Sequence, residues 1–558
     1  MSPTASRTAR TGRSQFLSGP WKRVLTTTDP FDDAPDTLID QRNRYIPDPK
    51  GGSGTYARPG FAPLNGGEPI YTTTDPFTGQ AIYSHPMLDG STVNFLVIGG
   101  HLFRVDQTLS VFTDVTPVDV TIDGSVTTRV FFASIIGQLV VTDGVNRPWI
   151  GSDLTSTPIT GTYIDYDGAG GSWTAYGAPA FYGGSIFFIL NQVNSVSRRT
   201  DIAWCEPGQP DIGYQQTDYD NNWTLETSSA GVLYALQGTN TALYYWRELS
   251  IGAVTGTVGP DLASTATEDA ISFNVGSQAA QTIQQFGNAF YFCDAIGRPW
   301  LFQPGNPPTP IWYQMRAIVD RSQIAFPTVT RVVATSVLEP TLNLFLVAIW
   351  SPSPGVQATP TEMYCFDANS GTYLGRWDVA NNTPIECVGT VADAAGRVMM
   401  LVLTEGGYAW SFNSLAAIPE FLATNDGDIL ATNDGTMLTT NGQPAVWTDG
   451  DVEPNRLVTT GRFNYAADTV LTVDRATVIT LSDTPVRVEI QTASTANSVE
   501  GIPSPSASQD DTCRLVCGCD IQGRGPQVTV TPLGSDTQHV VQQIALVAVP
   551  SSATEWDA

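Results

Sequence analysis

"VFFASIIGQLVVTDGVNRPWIG", residues 130–151, and "QTIQQFGNAFYFCDAIGRPWLF", residues 281–302, decide how this chain is read. Each is an apolar run, a tight glycine turn, a second apolar run and then Asp-x-x-x-Arg-Pro-Trp. The two closing phrases begin at Asp143 and Asp294, 151 residues apart. A ligand site written twice would produce such a pair, and so would a structural unit that recurs.

The rest of the chain favours recurrence. Short apolar or alternating runs, bounded by Gly, Asn, Asp or Pro, fill it, and helical periodicity is nearly absent. That is the grammar of β-strands. The strand–turn–strand pattern returns in "VNFLVIGGHLFRV", "PAFYGGSIFFIL", "GVLYALQGTNTALYYW", "VVATSVLEPTLNLFLVAIW" and "CVGTVADAAGRVMMLVL". Counting the two opening stretches, the turns fall near Gly99, Gly137, Gly183, Gly238, Gly287, Glu339 and Gly396, at intervals of 38 to 57 residues. Blades of a propeller repeat every ~40–50 residues, and stacking them radially buries faces that one small sheet cannot cover. The pattern therefore predicts an all-β protein built on a β-propeller of six to eight blades, with seven the best reading. "YCFDANSGTYLGRWD", residues 364–378, adds a strand, an Asn-Ser-Gly turn and a strand returning to Trp377. A row of unrelated β-sandwich domains with similar turn spacing is the alternative.

Within a propeller the repeated phrase has a structural role. Asp143 and Asp294 end one strand, and Pro148 and Pro299 open the next. Arg147 and Arg298 pair with those aspartates across the turn. Trp149 and Trp300 wedge between neighbouring sheets, where a large aromatic buries the most area.

The flanks differ from the repeats. Residues 1–85 are rich in Pro and Gly, carry "TTTDPF" twice, and read as an extended N-terminal arm and docking segment. The propeller spans 86–415. Residues 416–450 hold an eight-residue repeat of Thr-Asn-Asp-Gly, a turn-forming phrase that predicts short hairpins or a linker. Residues 451–558 alternate well and predict a C-terminal β-sandwich-like domain.

Composition removes several functions. The 558 residues hold 54 acids against 27 bases, a net charge of −27, while residues 1–28 hold five bases (Arg7, Arg10, Arg13, Lys22, Arg23) and no acid. Such a body does not grip nucleic acid over its whole surface, though its basic end suits an acidic partner. Lys22 and Lys50 are the only lysines and neither precedes Ser or Thr, so no phosphate-binding loop of that type exists. Seven scattered cysteines and no apolar leader predict reduced thiols and no secretory signal. No apolar run approaches the ~20 residues of a membrane-spanning helix.

Cys513, Cys517 and Cys519 raise zinc, but a tetrahedral site needs a fourth ligand and His539 is the nearest of only three histidines, with His85 and His101 far away. The acids at 218–220 and 426–428 lack the order of a calcium loop. No Gly-x-Ser-x-Gly elbow occurs. The expectation is a protein with no cofactor, no metal and no catalytic residues.

Three stretches in order resemble one known family. They are "NRYIPDPKGGSGTYARPGFAPLN" (residues 43–65), the span 242–301 beginning "ALYYWRELSIGAVTGTVGPDLASTATED", and the short repeat with its C-terminal β domain. Together they look like the tail hub or nozzle proteins of short-tailed bacteriophages, also called packaged-DNA stabilisation proteins. The stretch "NVGSQAAQTIQQ", residues 274–285, departs from the family in carrying Gln where Ser often sits. The resemblance implies a non-enzymatic virion tail protein, assembled in the host bacterial cytoplasm as a homohexameric ring. That ring would sit below the portal and its adaptor, extend the channel for double-stranded DNA without binding it specifically, retain the packaged genome and carry spikes, fibres or a needle-like plug. Arg58, Pro59, Gly60 and Phe61 would dock the arm, and Arg147, Pro148, Trp149, Arg298, Pro299 and Trp300 would hold the blades. The rival reading is a carbohydrate-binding or polysaccharide-cleaving propeller, a depolymerase or adhesin, with Trp204, Tyr214, Tyr219 and Trp223 beside Asp218 and Asp220 as its site.

Overall fold

A computed structural model describes residues 60–412 and 457–551, each with gaps of which the longest is 316–333, and five short strands before residue 58. Among the described residues the regular structure is β-strand, with three single 3-10 turns. No helix among them is long and apolar enough to cross a membrane.

Seven antiparallel units follow one another between residues 61 and 412, each built on a path of four strands. The first is representative: Gly79–Pro86, Thr92–Ile98, His101–Val105 and Phe112–Asp114, each strand paired to the next. The units that follow begin with the strands Phe131–Ile135, Trp173–Tyr182, Leu233–Gly238, Gln284–Phe286, Ala334–Glu339 and Ile385–Ala392. These leading strands pack on one another in order, except that the fourth and fifth meet through the Gln237 Nε2–Gln285 Oε1 hydrogen bond (3.5 Å). The 3-10 turn Ala280–Thr282 touches the leading strands of the third, fourth and sixth units and the fifth unit's second strand, Ala289–Cys293, and the leading strand of the seventh unit packs on that of the first. The arrangement is that of a β-propeller, with the leading strands innermost.

The strands form because their apolar residues sit on both faces, each face covered by a neighbouring unit. Thr92–Ile98 reads TVNFLVI and is buried from Asn94 to Ile98. Its Phe95 and Val97 enter the core shared with the second unit, and Leu96 and Ile98 enter the core shared with the seventh. Alternate side chains of one strand thus serve two different interfaces.

The seventh unit lacks a fourth strand of its own. Ile385–Ala392, Val398–Thr404 and Tyr408–Phe412 are completed by Phe61–Pro63, paired antiparallel through Phe61↔Phe412 and Trp410↔Pro63. The first and last units are therefore joined by the segment that precedes them both. The propeller begins earlier than the sequence pattern placed it, with Phe61–Pro63 and all but the last residue of Gly79–Pro86 inside the span read as an arm.

The remaining strands build two sheets. Leu457–Thr460, Gln527–Pro532, Val486–Gln491 and Ala496–Gly501 extend one, and Val470–Thr480, Cys513–Gly523, Ser504–Pro505 and Val540–Ser551 form the other. Alternation makes the packing: every second residue of Val486–Gln491 is buried, and Val486, Val488 and Ile490 share a core with Val473, Val478, Val528 and Val530. The early strands are sewn into this domain. Ser14–Ser18 and Thr55–Ala57 pair with Val540–Ser551, and Thr37–Arg42 lies between Leu457–Thr460 and the sixth unit's Tyr373–Asp378. One sheet of ten strands consequently runs from the propeller into the C-terminal domain. The Thr-Asn-Asp-Gly repeat lies outside the described residues.

The two tryptophans of the repeated phrase are not equivalent. Trp149 is 2% exposed, among Phe95, Val97 and Leu102 of the first unit and Leu139 and Val141 of its own. Trp300 is only half-buried at the edge of the core between the fourth and fifth units, its Nε1 donating to Asp294 Oδ2 at 2.9 Å. Trp149 thus packs between two units, while Trp300 sits at the edge of its core. Trp149→Ala is expected to cost about 3–5 kcal/mol and Trp300→Ala about 1–2 kcal/mol. Denaturant melts of the two variants against wild type check this, and equal losses would contradict it.

Candidate functional site

The residues singled out from the sequence fall into three places: the aspartate turns, the closing strand, and the seam between the last unit and the first.

Asp294 organises its turn as expected. Its Oδ1 accepts the Arg298 backbone N–H (2.9 Å), and its Oδ2 accepts Arg298 Nε (2.7 Å) and Trp300 Nε1 (2.9 Å). Asp393 does the same with Arg397, through the backbone N–H (2.9 Å) and Nε (2.7 Å). Both turns read Asp-Ala-x-Gly-Arg and place the glycine at positive φ, +83° at Gly297 and +73° at Gly396. That conformation, easy only for glycine, swings the arginine N–H back onto the carboxylate.

Asp143 departs from this, and the expected Arg147–Asp143 pair does not form. Its turn, Asp-Gly-Val-Asn-Arg, carries the positive-φ glycine one residue after the aspartate instead, at Gly144 (+79°). The carboxylate is filled by the N–H groups of Val145 (2.9 Å), Asn146 (2.7 Å) and Asp123 (2.9 Å), and by Asn146 Nδ2 (2.7 Å). Arg147 turns away, donates to the Ile164 carbonyl (3.1 Å) and lies over the Tyr163 ring. Pro148 and Pro299 are both buried; Pro299 opens its strand, while Pro148 directly precedes Trp149–Ser152.

Of the docking residues, Arg58 and Pro59 lie outside the described residues. Gly60 is buried, and Phe61 is fully buried against Phe412 (ring centroids 5.3 Å), which in turn packs on Trp377. Phe61 therefore docks within its own chain, as part of the closing strand, and not on a neighbour.

The chain then crosses from the seventh unit to the first. Leu64 N–H donates to the Ala409 carbonyl and Ile70 N–H to the Gly407 carbonyl, both at 2.9 Å. Tyr71 Oη meets His101 Nε2 at 2.9 Å, and His101 Nδ1 meets Asp114 Oδ2 at 2.9 Å. This Tyr–His–Asp line resembles a nucleophile relay, but His101 and Asp114 are both exposed by more than a third, with none of the seclusion such chemistry needs. It clasps the crossing segment to the first unit.

Beneath it, two buried polar residues staple the innermost strands. Asn94 of the first unit donates Nδ2 to the Ala392 carbonyl (2.6 Å) and accepts the Ala392 N–H through Oδ1 (3.0 Å). Glu386 of the seventh unit accepts the N–H of Thr78 (3.1 Å) and the N–H of Gly79. A side-chain carbon at position 79 would lie 2.5 Å from that carboxylate, so a larger residue there would displace the acid from its place. Burial pushes the Glu386 carboxyl up to about 8, against the opposing pull of the two backbone donors and the Arg129 charge. Sequence reasoning missed both residues. Their signal was a lone Glu in "IECVGTVA" and a lone Asn in "TVNFLVI", polar groups inside runs otherwise apolar.

Of the three clustered cysteines, the Cys519 side chain lies outside the described residues. Cys513 and Cys517 lie on one extended strand, four residues and so about 13 Å apart. Such a separation forbids a shared ion, and no group of three metal-binding side chains occurs among the described residues. The aromatic set named for a sugar site is also split. Trp204 is fully buried between the third and fourth units and Tyr214 is fully buried in the core of the second and third. Asp218 lies outside the described residues.

These observations define a β-propeller protein with a strand-sharing C-terminal domain. No family description and no curated protein sequence matches the chain. Among solved structures it is similar to Chaetomium thermophilum Raptor, at 10% identity and a TM-score of 0.37, over 65% of this chain and 30% of that one. It is also similar to the N-terminal domain of Nup159, at 11% identity and a TM-score of 0.36, over 64% of this chain and 94% of that one. The chain thus spans about a third of the Raptor structure.

The seam has a pH signature. A carboxyl whose folded value stands near 8 against an ordinary 4.5 binds its proton more tightly when folded. The stability this contributes is complete below about pH 4.5 and is lost as pH rises through about 8. Wild type is expected to lose a few kcal/mol of stability between about pH 5 and pH 9, and Glu386→Gln to show a flatter profile over that window. Chemical denaturation at a series of pH values checks this; parallel profiles would contradict it.

Proposed function

We propose that this chain is a structural virion subunit, a tail hub or nozzle protein, whose seven sheets are the blades of one closed disc. In this reading six copies form a ring below a portal–adaptor complex, extend the channel through which double-stranded DNA leaves, and carry spikes, fibres or a plug. The protein works in the virion tail and performs no catalysis.

The observation that carries the reading is the stitching of early strands to late ones. A conduit under load must keep its parts in register. Here the N-terminal strands pair with the C-terminal domain, with the sixth unit and with the seventh, so the propeller cannot swing freely against its neighbour domain. Shared backbone hydrogen bonds resist shear far better than a flexible linker. The ordered resemblance of residues 43–65, 242–301 and the C-terminal region supports the same class. So does charge: a body carrying −27 repels phosphates, and a lumen lined by it lets DNA slide. The basic N-terminal residues, with Arg7, Arg10 and Arg13 before the first strand, suit an acidic adaptor surface.

Mass measurement tests this directly. The purified protein, mixed with a portal–adaptor complex of a short-tailed phage, is expected to join it as six copies, resolved by native mass spectrometry or sedimentation. Failure to associate at micromolar concentration, or digestion of host polysaccharide by the protein alone, would overturn the assignment.

A further inference from the structure

A recess of about 500 Å³ opens where the second, third and fourth units meet, on the side that carries the Asp143 turn. Asp123, Asp143, Tyr176, Asn191, Arg199 and Tyr234 line it. Its size lies within the range of small-ligand pockets.

Arg199 is the unusual member. Its guanidinium lies 3.5 Å from the centroid of the Tyr176 ring and 4.7 Å from that of Tyr234. Nη2 donates to the Leu233 carbonyl at 2.9 Å, Nε has no hydrogen-bond partner, and among the described residues no carboxylate stands within ion-pair range. Two aromatic faces hold a cation in one orientation at little entropic cost, and burial beside them raises the value of an incoming negative charge. In a protein of net charge −27, a fixed cation left unpaired inside a recess marks a place for an anion.

The neighbouring groups say which anion. Asp143 has its oxygens filled by four donors from its own turn and from Asp123. Asp123 Oδ2 accepts the Thr128 hydroxyl, while its Oδ1 has no partner among the described residues. Asn191 uses Nδ2 on the Gly144 carbonyl (3.0 Å) and the Thr174 hydroxyl (3.2 Å), and its Oδ1 has no partner among the described residues. The recess therefore offers one cation that wants a carboxylate and two acceptors that want O–H or N–H donors. A phosphate would bring a second negative charge toward two carboxylates, and a neutral sugar would leave the guanidinium unpaired.

We propose that this recess binds an acidic sugar unit, a ring carrying one carboxylate and several hydroxyls, with the carboxylate on Arg199 and hydroxyls on Asp123 and Asn191. The proposal rests on the recess alone and does not depend on the assembly reading.

Titration with D-glucuronate, followed by calorimetry or ligand-observed magnetic resonance, tests it. Saturable binding at one site is expected, with glucose, inorganic phosphate and L-alanine weaker by at least about tenfold. Arg199→Ala is expected to abolish the binding. Arg199→Lys keeps the charge but loses the planar fork, and is expected to weaken binding by about tenfold with an unchanged melting midpoint. That second variant keeps the test valid if the alanine variant fails to fold. No saturation at tens of millimolar glucuronate, phosphate or alanine binding as tightly, or wild-type affinity in Arg199→Lys would each overturn the proposal.

Discussion

A four-stranded sheet has two apolar faces and can hide neither alone, so every unit of this protein depends on the next, and the seventh must meet the first. That closure is the constraint to which the rest answers. Two kinds of interaction supply it. The strand Phe61–Pro63 completes the seventh unit before the chain enters the first, which makes the two ends of the array covalent neighbours. The innermost strands are then fixed in register by Asn94 on Ala392 and by Glu386 on Thr78 and Gly79. Apolar contacts alone leave a strand free to slip; directional bonds to backbone groups do not.

Placing a carboxyl at that seam carries a cost. Glu386 is buried deeply enough that its proton is held to about pH 8, even though two backbone donors and Arg129 favour the anion. A buried acid whose burial outweighs its hydrogen bonds is weak evidence for added stability and stronger evidence for specificity, because only one strand register satisfies it. Asp294 and Asp393 show the same economy at the rim, each closing a turn and orienting an arginine with a single carboxylate.

Much of this was legible in the residues, and where it was not the reason is physical. Hairpins announce themselves locally, so the turns at Gly137, Gly183, Gly287 and Gly396 each join the first two strands of a unit. Gly99 misled by the same logic. It joins the second and third strands of its unit, whereas the first hairpin turns at Met87–Ser91, and hence the short 38-residue interval that follows it. A four-stranded meander contains three such hairpins, and local pattern does not say which is which. The closing strand left no trace, because it is three residues long and its partner is some 350 positions away. The early strands, short and set in a segment rich in Pro and Gly, read as an arm since their pairing lies in the C-terminal domain. Alternation in Val486–Gln491, by contrast, named both the strand and its buried face. Of the repeated Asp-x-x-x-Arg-Pro-Trp, the turn and the strand boundary were foreseeable, but the Arg147 partner was not. It hinges on whether the positive-φ glycine stands one or three residues after the aspartate.

Closure is also what the functional reading needs, since a disc that opened could not serve as a rigid segment of a conduit. Amide hydrogen exchange at the seam measures it most directly. The N–H groups of Leu64 and Ala392, on the outer and inner strands of the join, are bonded across it. In a closed ring they exchange only through the same global opening as the central strands of the other units. Exchange at these two positions orders of magnitude faster than at those strands, with the rest of the protein protected, would mean that the seventh unit does not close on the first.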